Sequence, residues 1–315
     1  MKYVAWGTSK LLWLYKTHLN DVNFAYVVES SPKAAMFMDL PVYSPEKLEH
    51  EGGDCTVVIF AVSNKTINLI LKKLAETGRG LGNGVILYAD LFREDFKRTL
   101  EAELGWKADD RLYSYAGGFI LNSVRPVHTT LCGSWLFLEA LKHTAKVPGD
   151  IAEVGAYQGG NALCALLSPV WLGQKTYYIF DSFEGFPDIG KNDPGTVTRG
   201  TYAIDVSVQE VRNSFDLLPD ARIIQGFVPT TFSRLDNNGR FSIVFYDCDL
   251  YQPALDTFEY CWDRLSPNGI LLIHDYFAEP GGYHGVKKAT DEFFEGSAAH
   301  VSKFWHSTMA AIVKK

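Results

Sequence analysis

The 315-residue chain lacks any apolar run near the roughly 20 residues that a membrane-crossing helix needs; its longest are Thr56–Val62 and Gly269–Ile273. It also lacks an excess of positive charge. Thirty Lys and Arg stand against 37 Asp and Glu, a net charge of −7, which excludes extended binding to a nucleic-acid backbone. Cysteine is scarce: five residues, an odd number with no C-x-x-C pair, so neither a disulfide framework nor a zinc site is expected. Cys55, Cys164 and Cys248 sit in apolar runs and read as small buried hydrophobes. Met1-Lys2 leads straight into a strand-like run with no signal-peptide cleavage region, and no repeat of 20–50 residues is present. These absences predict a cytoplasmic protein with no membrane span and no nucleic-acid partner.

What is present is ordinary globular composition, 47% hydrophobic and 21% charged, in a chain long enough for two domains. Short continuous apolar runs alternate with helical spacing. Tyr3–Trp6, Phe24–Val28, Thr56–Val62 and Val85–Tyr88 read as strands, with helices over Ser9–Leu19 and Ile67–Ala75. Residues 91–118, charged and mixed, read as linker, with Asp109-Asp110 and Gly117-Gly118 as punctuation. The alternation then restarts: a helix ending at His143, strands at Ile151–Val154, Thr176–Phe180, Arg222–Ile224, Ile243–Tyr246 and Ile270–Ile273, helices between them, and a closing hairpin over Val301–His306 and Met309–Val313. Continuous strand runs separated by helices predict parallel sheets covered on both faces. The expected architecture is α/β: a smaller Rossmann-like domain over 1–110, then a doubly wound Rossmann-like domain over 111–315.

Two places carry chemistry. The loop Glu153-Val-Gly-Ala-Tyr-Gln-Gly-Gly160 follows a strand and opens a helix. Gly155 permits a tight turn, and Gly159-Gly160 let a ligand approach the backbone. The spacing G-x-x-x-G-G is not the dinucleotide pattern G-x-G-x-x-G. Glu153 at the strand end would repel a pyrophosphate and suit an ammonium. Asp181 ends the next strand, 26 residues after Gly155, where doubly wound folds bind ribose hydroxyls. The pair favours S-adenosylmethionine over NAD. Further on, Asp247 and Asp249 sit at i and i+2 beyond one strand, and His274-Asp275 end the next, 27 residues after Asp247. Oxygens and one imidazole converging from consecutive strand ends suit Mg²⁺ or Mn²⁺. Asp188–Asp205, long and without apolar periodicity, reads as a lid or an unstructured loop, and His284 and His306 are further base candidates.

Together these residues resemble the macrocin O-methyltransferase family, S-adenosylmethionine-dependent sugar O-methyltransferases. The resemblance rests on Val147-Pro-Gly-Asp-Ile-Ala-Glu-Val-Gly155, Asp181-Ser-Phe-Glu-Gly-Phe-Pro187, Asp247-Cys-Asp-Leu-Tyr251, Leu265-Ser-Pro-Asn-Gly269, His274-Asp-Tyr276 and Gly285-Val-Lys-Lys-Ala289, spanning roughly residues 120–295. It implies a C-terminal methyltransferase domain whose cofactor is held by Glu153, Gly155, Tyr157, Gly159, Asp181 and Ser182. It implies a metal at Asp247, His274 and Asp275, with Asp249, Asp247 and His274 as the catalytic set and Asp249 as general base or acceptor-orienting carboxylate. The acceptor it implies is a sugar hydroxyl on a small molecule or glycan, and the relatives suggest a homo-oligomer. Much of the family has Asp-Asp-Tyr where this chain has His274-Asp275-Tyr276, so His274 stands open as ligand, base or supporting group. Gly7-Thr8-Ser9, Glu29 and Leu40–Lys47 look like the small Rossmann-type domains beside sugar-modifying transferases, and a docking or structural role is expected there. Two alternatives remain: an NAD-dependent sugar oxidoreductase or epimerase, to which Tyr283 and Lys287 supply a Y-x-x-x-K match, and a catalytically silent nucleotide-binding scaffold.

Overall fold

The computed structural model describes residues 2–51, 55–235, 239–278 and 282–315. The chain divides into two compact units, Met1–Arg98 and Thr99–Lys315, earlier than the linker expected near residue 110.

In the first unit the elements run β1 (Lys2–Trp6), α1 (Lys10–His18), β2 (Phe24–Val28), β3 (Met36–Phe37), β4 (Leu40–Tyr43), β5 (Cys55–Ile59), α2 (Asn64–Ala75), β6 (Gly80–Leu81), β7 (Gly84–Leu87) and α3 (Tyr88–Leu91), followed by α4 (Arg93–Leu104), which runs across the division. The sheet order is β3-β4-β2-β1-β5-β7-β6, parallel except for the β3–β4 pair. Val57, Val58 and Ile59 have no exposed surface, as expected of a strand covered on both faces. After β1, the Glu29 carboxylate accepts hydrogen bonds from the Thr8 amide (2.5 Å) and hydroxyl (2.7 Å).

The segment read as linker is largely helical. In α4, Phe96 and Leu100 lie four residues apart and are fully buried, so the charged composition is only the outward face of an amphipathic helix. Asp109 begins α5 (Asp110–Asn122), accepting the Arg111 amide at 3.0 Å. Gly117-Gly118 lie within α5 rather than in a turn.

The second unit continues with α6 (Leu131–His143), β8 (Asp150–Val154), α7 (Gly160–Leu166), β9 (Tyr177–Asp181), α8 (Val208–Asn213), β10 (Ala221–Gln225), β11 (Phe241–Tyr246), α9 (Tyr251–Cys261), β12 (Leu265–Ile273), α10 (Gly285–Phe293), β13 (Ser302–Phe304) and β14 (Met309–Val313). Its sheet order is β10-β9-β8-β11-β12-β14-β13. The pairs from β10 to β12 are parallel, and β14 is antiparallel to both β12 and β13. Every residue of β11 is buried, and α6 is buried almost all round, which puts both at the centre. Its one buried acid, Glu139, is satisfied by Trp135 Nε1 at 3.2 Å, Lys142 Nζ at 3.4 Å and the Asp109 amide. Among the described residues, no helix is long and apolar enough to cross a membrane.

From β8 the chain moves outward to β9 and β10, then returns across β8 to β11 and β12. That reversal parts the loops after β8 and β11 and opens a crevice at the C-terminal ends of the strands, the usual ligand position in open α/β sheets. The sheet under it depends on Phe245, fully buried on β11 and stacked on Phe137 at 5.3 Å. Phe245→Ala is expected to cost about 3–5 kcal/mol, read as a lowered urea midpoint. A change below 1 kcal/mol would contradict this placement of the core.

Candidate active site

The loops after β8 and β11 touch only because residue 155 is glycine. Gly155 has φ +91°, and a Cβ there would fall 2.2 Å from the Asp247 carbonyl oxygen. The helix that follows is equally close to its neighbour: a Cβ on Gly160 would lie 2.0 Å from the Pro126 carbonyl oxygen. Between these loops lies a crevice open to solvent, lined by residues of both.

One end of the crevice is built around Glu153 and Asp181. Glu153 is 1% exposed. Its Oε2 accepts from Tyr177 Oη at 2.6 Å, and its Oε1 accepts from Asn161 Nδ2 at 3.4 Å. Burial pushes its carboxyl up to about 8, against the hydrogen bonds from Tyr177 and Asn161. Asn161 Oδ1 is also buried and has no hydrogen-bond partner in the protein, so two acceptors meet at the crevice wall. Asp181 braces the loop: Oδ2 accepts the amides of Ala156 (2.9 Å) and Tyr157 (2.7 Å), and Oδ1 that of Phe183 (2.6 Å). Burial raises its carboxyl, and these three amides oppose the rise. Ser182 Oγ donates to the Gly185 carbonyl at 3.1 Å and accepts from the Glu184 amide, stabilising the same turn.

The other end holds Asp247, Asp249, His274 and Asp275, each with one ligand atom within 4.8 Å of the others. The β11–β12 pairing, Tyr246 opposite Ile273, brings the two strand ends level. His274 Nδ1 lies 2.8 Å from Asp247 Oδ1 and 3.2 Å from Asp275 Oδ2. This buried nitrogen is thus flanked by carboxylate oxygens from both strand ends. Nε2 meets Thr308 Oγ1 at 3.2 Å. Burial would lower the imidazole's pKa, but Asp247 and Asp275 override it and hold it well above the usual histidine range. Asp249 is pushed well above the carboxylate range, first by burial and then by its hydrogen bond with Asp275. Strain collects here: Tyr157, Asp249, Asp275 and Thr308 all adopt the left-handed region without being glycine.

Glu153, Gly155, Tyr157, Asp181, Ser182, Asp247, Asp249, His274 and Asp275 thus face one crevice. Gly159 instead caps α7 with φ +77°. Cys248, expected as buried core, is half-buried on the crevice wall. The Asp188–Asp205 loop is tied down rather than loose: Asp193 accepts the Tyr251 amide at 2.7 Å, and Asp205 accepts from Gln158 Nε2 at 2.6 Å. Tyr202, on this loop, walls the crevice. His128 does so as well, its ring edge-on to Tyr157 at 4.8 Å. His284 binds the Gly282 carbonyl, His306 stacks on Trp305, and Lys287 pairs with Asp291. None of these three, nor Tyr283, lines the crevice. Asn161, His128, Tyr202 and Thr308 were not legible as site residues. Of these, only Asn161 had a signal, its place just inside the glycine loop.

The sheet order and the crevice at the reversal define a Rossmann-like α/β fold. Comparison with known proteins makes this specific. Residues 138–301, just over half of the chain, match the macrocin O-methyltransferase (TylF) family. A tetracenomycin rhamnosyl 4'-O-methyltransferase of Streptomyces olivaceus is 30% identical over 182 residues, 52% of this chain and 68% of that protein. The mycinamicin III 3''-O-methyltransferase of Micromonospora griseorubida is 30% identical over 143 residues, covering 41% and 56%. In fold, the chain is similar to the O-methyltransferase NovP (TM-score 0.51, 19% identity, 72% of this chain and 99% of that one) and to the calicheamicin methyltransferase CalS11 (0.51, 18%, 70% and 91%). The chain belongs to the macrocin O-methyltransferase family and is an S-adenosylmethionine-dependent O-methyltransferase.

Glu153 gives the ligand-free protein a pH signature. Its carboxyl ionises near 4.5 when unfolded and near 8 when folded. Between these values the folded state binds more protons, so this group makes stability fall as pH rises from about 5 to 8, and the loss is complete above that. The melting temperature should decline over this window, and Glu153→Gln should flatten the decline. An unchanged slope in Glu153→Gln would show that the carboxyl is not held neutral.

Proposed function

We propose that this enzyme methylates a sugar hydroxyl with the help of a divalent cation at Asp247, His274 and Asp275, in natural-product or glycan biosynthesis. The single observation that carries the metal is the convergence of Asp247, Asp249, His274 and Asp275 from two adjacent strand ends, with one ligand atom of each within 4.8 Å of the others. The donor set fits: carboxylate oxygens and one imidazole within 4.8 Å suit Mg²⁺ or Mn²⁺. The sugar acceptor is supported by the Streptomyces olivaceus relative, which is named for methylating a rhamnosyl group.

S-adenosylmethionine, when bound, supplies an electrophilic methyl group on a positively charged sulfur. Glu153 Oε1 and Asn161 Oδ1 would accept its ammonium, Asp181 its ribose hydroxyls, and the loop at Gly155 and Tyr157 would lie against the nucleoside. A cation held by Asp247, His274 and Asp275 would lower the pKa of an acceptor hydroxyl beside it, and Asp249 would take the proton that this hydroxyl gives up on methylation. Holding the nucleophile in line can contribute about 7–11 kcal/mol. His128, Tyr202 and Tyr157 would pack on the acceptor, since aromatic faces suit the apolar face of a sugar ring.

Met1–Arg98 lies outside the matched segment, and we assign it an accessory docking role. The Glu29 carboxylate on the Thr8 amide puts negative charge where a dinucleotide's phosphates would sit, which disfavours a second nucleotide site.

Asp247→Ala and Asp275→Ala should abolish methyl transfer to a rhamnoside acceptor while leaving S-adenosylhomocysteine affinity within a few-fold of wild type by calorimetry. Asp249→Asn should lower kcat about 10²–10⁴-fold. Turnover retained in either alanine variant, or unaffected by a chelator, would refute the metal reading.

A further inference from the structure

Thr308 is a β-branched residue with φ +63°, a conformation that such residues rarely adopt. It ends the 3₁₀ turn Trp305–Ser307 just before β14 and is 2% exposed. The antiparallel register of β12 and β14, Ile273 opposite Ala310, carries this turn past the end of β12. The Thr308 carbonyl accepts the Phe277 amide at 3.3 Å, and its own amide donates to the Trp305 carbonyl at 3.1 Å. The backbone bonds need no hydroxyl, and a glycine would hold the same φ without strain. What the threonine adds is Oγ1, placed 3.2 Å from His274 Nε2.

We propose that Thr308 is a positioning residue: its hydroxyl holds His274 by Nε2 so that Nδ1 is presented as a nitrogen ligand between Asp247 and Asp275, and the site therefore takes Mn²⁺ in preference to Mg²⁺. This rests on the metal reading above. The chemistry follows from the donor set. A hydrogen bond to one ring nitrogen leaves the other as the ligating atom and fixes the ring plane. Mg²⁺ favours oxygen donors in near-ideal octahedra and gives up water reluctantly, whereas a borderline ion gains from an imidazole. A nitrogen among three carboxylates tips the balance toward Mn²⁺, and Thr308 keeps the nitrogen aimed.

The test is calorimetric titration of the full-length protein with Mn²⁺ alone and Mg²⁺ alone, with electron spin-echo spectroscopy of bound Mn²⁺ to detect a coordinated nitrogen. Wild type should bind Mn²⁺ at least about tenfold more tightly than Mg²⁺ and show the nitrogen coupling. Thr308→Gly, which relieves the left-handed strain, should keep the melting temperature within a few degrees of wild type while lowering Mn²⁺ affinity roughly 10- to 100-fold. Thr308→Ser should retain both. His274→Asp should lose the nitrogen coupling and bring the two affinities together. Wild-type affinity for Mn²⁺ in Thr308→Gly, or equal wild-type affinities for the two ions, would overturn the proposal and leave the metal reading standing. Failure of wild type to bind either ion would remove both. Should Thr308→Gly not fold, the wild-type preference and the His274→Asp comparison decide the matter.

Discussion

Three carboxylates and an imidazole share the ends of two neighbouring strands, largely removed from water, and that crowding governs the rest of the site. Like charges this close cannot all ionise in a low-dielectric crevice. Burial and the neighbouring Asp275 accordingly raise the pKa of Asp249, while Asp247 and Asp275 raise that of His274 against the effect of its burial. Such an arrangement has little value for stability, because apolar side chains would fill the same space at lower cost. Together with left-handed backbone at Asp249, Asp275 and Thr308, it concentrates strain and crowded charge in one place, a pattern common at functional sites.

The fold positions this cluster against the cofactor end by one close approach. Gly155 lets the β8 loop lie on the carbonyl of Asp247, so the residues proposed to hold the methyl donor and those proposed to hold the metal share a wall. Asp181 then fixes the shape of that wall through three backbone amides. Its carboxylate, proposed as the partner for ribose, also braces the loop, a role that its position at a strand end did not reveal.

Much of the second unit was legible because its strands are short continuous apolar runs ended by the acids that face the crevice. Glu153, Asp181, Asp247 and His274-Asp275 are found by locating strand ends, and the structure gathers them as the parallel order requires. What was hidden depends on tertiary approach. His128 and Tyr202 lie in segments with no periodicity, and Thr308 reaches His274 only through the β12–β14 register. The helical content of 91–118 was missed because α4 and α5 are mostly polar at their surfaces and Gly117-Gly118 suggested a turn. In the first unit, short β3 and β6 carry too few residues to show a period.

The most direct test of the account is a crystal structure of the protein with S-adenosylhomocysteine and Mn²⁺, with diffraction recorded at the manganese absorption edge. The account predicts one anomalous peak at bonding distance from Asp247, His274 Nδ1 and Asp275, with the nucleoside along the Gly155 loop and Asp181 beside its ribose. A peak elsewhere, or a filled cofactor pocket with no manganese at the acid cluster, would contradict it.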